Sequence, residues 1–523
     1  MRQYDLAVFN GTIIDGLGTP GYKGNIFLRD GKVGRICSKG EQFSSKKCID
    51  AEGLVVSPGF IDMHTHDDFI FHDDPWNMPK LTQGVTSVAV GSCGMGTAVS
   101  EVNIDGLYTY QTPVMGQLFP KVSSVEDYFR FVEDCNPAIN VAIQVGHIPL
   151  RVAVAGFEGR HTTEIEQQAM AEMAYRALKL GCIGISTGLQ YQPVDQSDEK
   201  ELLTLARVVK EFDGLFSFHM RDLFTGFLEA LDEVIALGKN SKARIQVSHL
   251  RCYGRSNYGK PIEALARIEK AVTEGVDIGF DNYPYTAGAT TIAMVLPKWL
   301  VEGGTEKSIA RLRDPELDAR VEEELRAPDS LVPQAGSDNI IILGVNTPEN
   351  KQFEGSTLAE FAIAKKSEPI KALLNLYQQE QGQLSVAVNW YSQQDVDAVM
   401  EHPEAIVISD SIHTRGKPHP RLYGAFAKFL KEYASKALTL EESIRKMTSA
   451  PARRMGFADI GVLKPGYKAD IAIFDITKIE DIATYAEPRR FSRGIEHVIV
   501  NGEVVFSEGA TTGSRPGKLL LRK

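Results

Sequence analysis

The chain has 523 residues, 43% of them hydrophobic, which is long enough for a large core and for two or more structural units. Its 57 Lys and Arg residues are outnumbered by 68 Asp and Glu, and the net charge of -11 makes nucleic acid an unsuitable partner. The opening MRQYDLAVFNGTIID lacks the apolar core of a signal peptide, and no run of about 18 apolar residues occurs, so we expect a cytoplasmic protein without a membrane span. The oligomeric state is left open.

Both ends of the chain are rich in β-strand signals. At the start, YDLAVFNGTIID and NIFLRDGKVGRIC alternate apolar and polar residues, and Asn10-Gly11 and Asp30-Gly31 are typical of tight hairpin turns. At the far end, KADIAIFD and EHVIVNGEVVF repeat this pattern around Asn501-Gly502. Because isolated hairpins are only marginally stable, we expect residues 1–57 and 455–523 to form one small, discontinuous β-sandwich domain.

Between these ends, short β-branched runs alternate with amphipathic helical stretches, a pattern typical of βα units in a parallel sheet. The pattern predicts an α/β fold in which residues 58–454 form a (β/α)8 TIM-like barrel. The eight predicted strands cover residues 60–66, 85–91, 140–147, 182–187, 215–219, 243–249, 276–281 and 405–410.

Residues 286–404 are too many for one connection between the seventh and eighth strands. They contain helical stretches and the strand-like NIIILG, so we expect an insertion within the barrel domain, over the barrel mouth. Such a segment is either a lid for an active site or a packing elaboration, and the sequence does not choose between the two.

The residues suited to chemistry fall at the same end of the predicted strands. These are His64, His66, Cys93, His147, His219, His249 and Asp410. Active sites of (β/α) barrels are built at the C-terminal strand ends, so this distribution favours a barrel with a catalytic rim.

The stretch GFIDMHTHDD places His64 and His66 two residues apart at the end of the first strand. Residues two apart in a strand point to the same face, and paired imidazoles suit zinc or a similar metal. The alternative is a pair of solvated loop histidines. Asp67 and Asp68 are either partners of metal-binding histidines or exposed loop carboxylates.

PGFIDMHTHDD followed by GVTSVAVGSCG resembles the amidohydrolase superfamily and, within it, the D-aminoacylases, which remove acyl groups from N-acyl-D-amino acids. The resemblance covers nearly the whole chain. Further matching motifs are STGLQYQP, HMRD, SHLR, DNYPYTAG and ISDSIHTRGKPHPRLYGAF.

This resemblance implies that Cys93, His219 and His249 bind one zinc ion tightly, with His64 and His66 serving a second, weaker site. Many relatives bridge two metals with a carboxylated lysine on strand four, yet CIGISTG contains no lysine, and the Cys93 thiolate can take that place. The alternative for Cys93 is a small buried apolar residue. Either histidine of the tight site could instead be a hydrogen-bonded core residue.

The resemblance also implies a proton-transfer role for Asp410, at the end of AIVISD. Three protein ligands leave zinc open to water, whose pKa falls to about 7, and the departing amine needs a proton that a carboxylate can carry. The alternative for Asp410 is a helix N-cap.

Four further side chains are candidates for substrate binding. Arg421 matches the position that binds the substrate carboxylate in D-aminoacylases, and Tyr283 matches a substrate-binding tyrosine. Relatives tend to carry serine where this chain has Ala289, so one hydrogen bond to the carboxylate is in question. Arg251 would favour an acidic substrate side chain if it points into the pocket, and Tyr191 would form part of its wall.

The sequence therefore predicts a zinc-dependent deacylase of N-acyl-D-amino acids that acts on a small molecule. One alternative is a cyclic amidase of the dihydroorotase or hydantoinase type, which the missing strand-four lysine disfavours. Another is a non-catalytic scaffold, which the intact ligand positions disfavour.

Overall fold

The computed structural model describes residues 3–38, 44–115, 121–414 and 416–522. Five strands open the chain: β1 (Tyr4–Ile13), β2 (Tyr22–Arg29), β3 (Lys32–Ser38), β4 (Ser45–Asp50) and β5 (Val55–Pro58). Seven barrel strands follow: β6 (Phe60–Asp62), β7 (Val85–Val90), β8 (Asn140–Gly146), β9 (Gly184–Gly188), β10 (Leu215–His219), β11 (Arg244–Val247) and β12 (Ile278–Asn282).

Eight helices lie among these strands: α1 (Met78–Leu81), α2 (Ile104–Met115), α3 (Val125–Cys135), α4 (His147–Ala155), α5 (Glu164–Leu180), α6 (Glu199–Glu211), α7 (Phe227–Ser241) and α8 (Lys260–Thr273). The insertion contributes three strands: β13 (Ala287–Thr291), β14 (Ile340–Gly344) and β15 (Ser385–Asn389). Its helices are α9 (Lys298–Val301), α10 (Thr305–Leu312), α11 (Pro315–Arg326), α12 (Leu331–Ala335), α13 (Leu358–Ala364), α14 (Pro369–Gln379) and α15 (Gln393–Glu401).

The chain then returns to the barrel and the small domain. The last barrel strand is β16 (Ala405–Val407), and three helices follow it: α16 (Arg421–Tyr433), α17 (Leu440–Met447) and α18 (Ser449–Arg454). The final strands are β17 (Ile471–Phe474), β18 (Ile495–Val500), β19 (Glu503–Ser507) and β20 (Ala510–Thr511). No helix in the described part of the chain is both long and apolar enough to cross a membrane.

The eight barrel strands form one parallel sheet in the order β16-β12-β11-β10-β9-β8-β7-β6, as expected for a (β/α)8 barrel. Its two ends meet through backbone hydrogen bonds, since Asp410 N donates to His64 O at 2.9 Å and His66 N donates to Ser411 O at 3.0 Å. The predicted TIM-like fold is therefore confirmed.

Several predicted barrel strands are longer than the observed ones, and the first and last differ most at their C-terminal ends. The first ends at Asp62 instead of residue 66, and the last ends at Val407 instead of residue 410. Asp410 has φ of 48°, which a strand does not allow. The metal-binding and catalytic candidates at these two ends therefore lie on loops that continue from the strands.

The two chain ends share a nine-stranded sheet in the order β20-β19-β18-β17-β5-β1-β2-β3, with β4 paired to β1. The sheet curls over itself, because Val33 N donates to Tyr467 O and Ala469 N donates to Gly31 O, just before β17. The discontinuous β domain is present, and its boundaries at residues 57 and 455 stay a prediction.

Two of the three predicted hairpin turns are observed and one is wrong. Asp30-Gly31 joins β2 to β3, and Asn501-Gly502 joins β18 to β19, each with positive φ at both residues. Asn10-Gly11 instead forms a bulge inside β1, where the register shifts between Val8 and Gly11. A Cβ on Gly11 would lie 2.4 Å from Val56 Cγ2, so the close approach of β5 requires the glycine there.

The last residues of the chain close the bottom of the barrel, opposite the predicted active-site rim. Leu519 forms a parallel bridge with Val141, and Leu520 N donates to Val141 O at 2.8 Å. The Leu520 side chain is buried within the apolar core that includes Ala142 and Leu215.

Candidate metal centre and active site

Six predicted side chains come together at the C-terminal rim of the barrel. They form two groups that share one thiol: His64, His66, Cys93 and Asp410 in one, and Cys93, His219 and His249 in the other. Within each group the potential ligand atoms all lie within 4.8 Å of one another. All six residues are buried.

Cys93 stands between the two groups. Its Sγ lies 3.2 Å from His64 Nε2 and 3.6 Å from His249 Nε2. On the other side, His64 Nε2 and His66 Nε2 are each 3.4 Å from Asp410 Oδ1. The thiol is therefore placed to contact ions in either group.

Three of these residues have left-handed backbone conformations that residues other than glycine rarely adopt. The φ angles are 53° at Cys93, 35° at His249 and 48° at Asp410. Such angles cost about 1–3 kcal/mol each and persist where the surroundings hold them, which is common at functional sites.

β9 contains no lysine, and the loop that carries Cys93 packs closely against its end. A Cβ on Gly188, at the end of β9, would lie 2.3 Å from Cys93 O, and one on Gly94 would lie 2.7 Å from Gly188 N. The loop that carries Cys93 thus packs directly against the backbone of β9, and it brings the thiol to the middle of the rim.

Charges in this cluster favour the ionised thiol. Burial alone would raise the pKa of Cys93, but the neighbouring rings of His64, His219 and His249 hold it well below its ordinary value. Burial likewise opposes protonation of His64, yet Cys93 and two carboxylates raise its pKa well above the ordinary range. A thiolate is the form of cysteine that binds metals.

His219 differs from His64 in this respect, since burial lowers the pKa of His219 and favours the neutral ring that ligates metals. Its Nε2 lies 2.7 Å from Gln190 Oε1 and donates there when that nitrogen carries the proton. Its Nδ1 is buried and has no hydrogen-bond partner in the described structure, and the same is true of His66 Nδ1. Unsatisfied buried nitrogens beside a thiolate fit a zinc site, which prefers nitrogen and sulfur ligands.

Two supporting residues were missed by the sequence analysis. Asp281, at the end of β12, accepts a hydrogen bond from His249 N at 2.7 Å, and its Oδ1 lies 3.3 Å from His64 Nδ1. Gln190, in the STGLQYQP motif, orients His219. Carboxylates and amides that hold the second nitrogen of a ligating histidine fix its orientation. The position of Asp281 at a strand end was the available signal.

Asp410 pairs with Arg421, whose Nη1 lies 2.9 Å from Asp410 Oδ2. Burial opposes ionisation, but Arg421 and the two neighbouring histidines hold the pKa of Asp410 well below its ordinary value. No guanidinium nitrogen of Arg421 makes an aligned hydrogen bond within the described residues, although the guanidinium lies 4.4 Å from the centre of the Tyr283 ring. The guanidinium retains donors for an anion.

A cavity opens above the cluster. Its wall is rich in aromatic residues and includes parts of the insertion: His66, Cys93, Val114, Tyr191, His219, His249, Tyr253, Tyr283, Gly288, Ala289, Thr290, Trp390, Tyr391, Asp410 and Ile412. Tyr191 packs against His219 with ring centres 4.8 Å apart, and Trp390 stacks on Tyr253 at 4.2 Å. The insertion thus forms part of the wall of the site.

Arg251 is placed differently from the expectation that it reads an acidic substrate side chain. It is 2% exposed, and its three guanidinium nitrogens donate to Asn282 Oδ1, Tyr283 O and Tyr285 O. Its guanidinium lies 3.3 Å from the centre of the Tyr283 ring. The geometry does not support the expected role, because the side chain braces the loop after β12 from behind the cavity wall.

The two aspartates after His66 both lie in the interior of the protein. Asp67 and Asp68 are buried, so neither is an exposed loop carboxylate. Asp67 accepts hydrogen bonds from His413 Nε2 and Asn77 Nδ2, both at 2.8 Å, and orders the loop instead of holding a ligand ring. Burial raises the pKa of Asp68 to about 7.

Comparison with known proteins extends these observations. The amidohydrolase family model matches residues 47–506. The chain is 34% identical to an N-acyl-D-glutamate deacylase of Alcaligenes xylosoxydans xylosoxydans, over 100% of this chain and 97% of the relative. It is 30% identical to a D-aminoacylase of the same organism, over 100% of this chain and 98% of the relative.

A solved structure resembles the chain over its whole length. The N-acyl-D-glutamate deacylase of Bordetella bronchiseptica, crystallised with zinc and a phosphonate that mimics the tetrahedral intermediate, has a TM-score of 0.85 and 32% identity and covers 100% of both chains.

Proposed function

Because this chain belongs to the amidohydrolase family, we propose that it hydrolyses the amide bond of N-acyl-D-amino acids, releasing a carboxylic acid and a D-amino acid. The observation that carries the proposal is the buried cluster in which Cys93 joins both groups of potential ligands, with Asp410 at its edge beneath the cavity. Full-length similarity to deacylases supports the same reaction. We place the reaction in the cytoplasm.

The enzyme is metal-dependent, and we propose that Cys93, His219 and His249 hold a tightly bound zinc ion. His64 and His66 would serve a second, weaker site on the other side of Cys93. When bound, zinc supplies Lewis-acid polarisation of the substrate carbonyl and lowers the pKa of water. The buried nitrogens of His66 and His219 that lack hydrogen-bond partners support this ligand set.

Asp410 moves the proton in this proposal. Its carboxylate is ionised at neutral pH, so it can accept a proton from the attacking water. When the carbon–nitrogen bond breaks, the same proton passes from Asp410 to the leaving nitrogen, which departs as a neutral amine. Arg421 holds Oδ2 of Asp410, and this contact directs Oδ1 toward the histidine pair.

Three other side chains would bind the substrate. The Arg421 guanidinium suits a substrate carboxylate, because its planar donors match two carboxylate oxygens. Tyr283 lies against that guanidinium and also faces the cavity, so it can contact the same group. Tyr191 would form the wall next to His219.

The test is an assay of the purified, zinc-loaded chain with N-acetyl and N-formyl derivatives of D-Leu, D-Glu and D-Asp. The L enantiomers and a hydantoin serve as matched comparisons. Turnover of the D compounds with little turnover of the others is expected. Turnover confined to the hydantoin would identify a cyclic amidase, and a chain that binds no zinc and hydrolyses nothing would favour a scaffold.

A further inference from the structure

The side chain of Lys80, on α1, is fully buried where the first and last barrel strands meet. Its ammonium donates to Asp62 Oδ2 at 2.5 Å, Ser409 Oγ at 2.6 Å and Ser411 Oγ at 2.8 Å. Asp62 ends β6, whereas the two serines follow β16. One cation therefore links two chain segments that are more than three hundred residues apart.

The two serines flank Asp410. Ser409 N donates to Asp62 Oδ1 at 3.1 Å, and Ser411 N donates to Ser409 Oγ at 3.2 Å. Asp410 lies between them with φ of 48°, a conformation that needs support from its surroundings. Lys80 supplies this support, because it fixes the hydroxyl groups on both sides of the strained residue.

The same network reaches the histidine pair through Asp67, which follows His66. Asp67 Oδ1 accepts hydrogen bonds from Thr65 Oγ1 at 2.6 Å and from Ser411 Oγ at 3.1 Å, and its Oδ2 lies 3.6 Å from Lys80 Nζ. Thr65 lies between the two histidines. The network therefore contacts residues next to His64, His66 and Asp410 in the chain.

We propose that Lys80 is a positioning residue that keeps the Asp410 carboxylate next to the rings of His64 and His66. Without the ammonium, Asp62 and Asp67 lose their shared buried cation, and the hydroxyl groups of Ser409 and Ser411 lose a common anchor. The left-handed backbone at Asp410 can then relax. A displacement of about 1 Å in a reacting group lowers the rate by about 100-fold.

The kinetic test compares Lys80→Met with Lys446→Met in the zinc-loaded enzyme, and it rests on the proposed deacylation. Lys446, on α17, is a matched control because it is also fully buried and donates to the carbonyl oxygens of Met400 and His402, away from the cavity. We expect Lys80→Met to lower kcat by about 100-fold, with KM and zinc content within about threefold of wild type. Lys446→Met should keep the wild-type kcat.

The second test is hydrogen exchange and does not depend on activity. The amides of Asp410 and His66 donate across the junction, to His64 O and Ser411 O, and should lose protection in Lys80→Met but not in Lys446→Met. If Lys80→Met does not fold, the double variant Ser409→Ala, Ser411→Ala keeps the ammonium and should show the same two changes.

If Lys80→Met matches Lys446→Met in both hydrogen exchange and kcat, the inference is overturned and Lys80 has a structural role alone. An inactive wild type would instead count against the deacylation, and in that case the exchange experiment still decides the role of Lys80.

Discussion

Replacing Asp410 with asparagine keeps the size of the side chain and removes its charge and its capacity to accept a proton. General acid–base groups contribute about 100-fold to 10,000-fold to enzymatic rates, so we expect kcat to fall within that range. The tightly bound zinc should be retained, because the proposed ligand set of Cys93, His219 and His249 does not include Asp410. Retained metal with lost turnover is the signature of a proton-transfer role.

The same substitution has a stability effect that follows from the geometry. Asp410 and Arg421 are 7% and 1% exposed, and their closest charged atoms are 2.9 Å apart. Removing one partner of a buried ion pair costs about 3–5 kcal/mol, because the remaining charge stays buried. A chain of this size has an unfolding entropy of roughly 1.1 kcal/mol per kelvin if it melts as one unit, so Tm should fall by about 3–5 °C.

The assay measures kcat, bound zinc and Tm for Asp410→Asn beside Asp397→Asn. Asp397, on α15, accepts hydrogen bonds from Tyr433 and Gln393 that an asparagine oxygen can also accept, so its variant should be active. Unchanged hydrolysis by Asp410→Asn would remove this residue from the proton path. Lost zinc would show that it acts as a ligand.

Three further predictions concern the metal, the small domain and the bottom of the barrel. Cys93→Ser removes the thiolate shared by both groups, and we expect elemental analysis of the purified variant to find zinc well below one ion per chain. Burial, partly offset by a hydrogen bond from Asn501 N, raises the pKa of Asp470 to about 6, above the unfolded value of 3.8. The folded state thus binds this proton more tightly than the unfolded state does. In urea titrations, the free energy of unfolding of wild type relative to Asp470→Asn should therefore fall by about 3 kcal/mol from pH 4 to 6 and then level off. A difference that does not change with pH would contradict this. Leu520→Ala should lower the free energy of unfolding by about 2–5 kcal/mol and leave kcat unchanged, and an equal loss of kcat would show that the bottom of the barrel affects the rim.

Local sequence signals were sufficient for the architecture. Strand and helix patterns predicted eight βα units because the alternation of apolar residues reflects which face of each element is buried, and this needs no knowledge of neighbours. The turn at Asp30-Gly31 was predicted for a similar reason, since both residues adopt positive φ readily. The Asn10-Gly11 bulge was missed because the same dipeptide also suits a bulge, and only the contact with Val56 distinguishes the two.

The sequence by itself determined which chemical groups the rim holds, because strand ends of a parallel barrel meet on one side and His64, His66, Cys93, His219, His249 and Asp410 all lie at or just beyond such ends. Tertiary structure alone decided where each side chain points. The left-handed backbone at Asp410, the support from Lys80 and Asp281, and the turn of Arg251 away from the cavity all depend on partners distant in the chain. Such orientations follow from the sum of many nonlocal contacts, which no local pattern encodes.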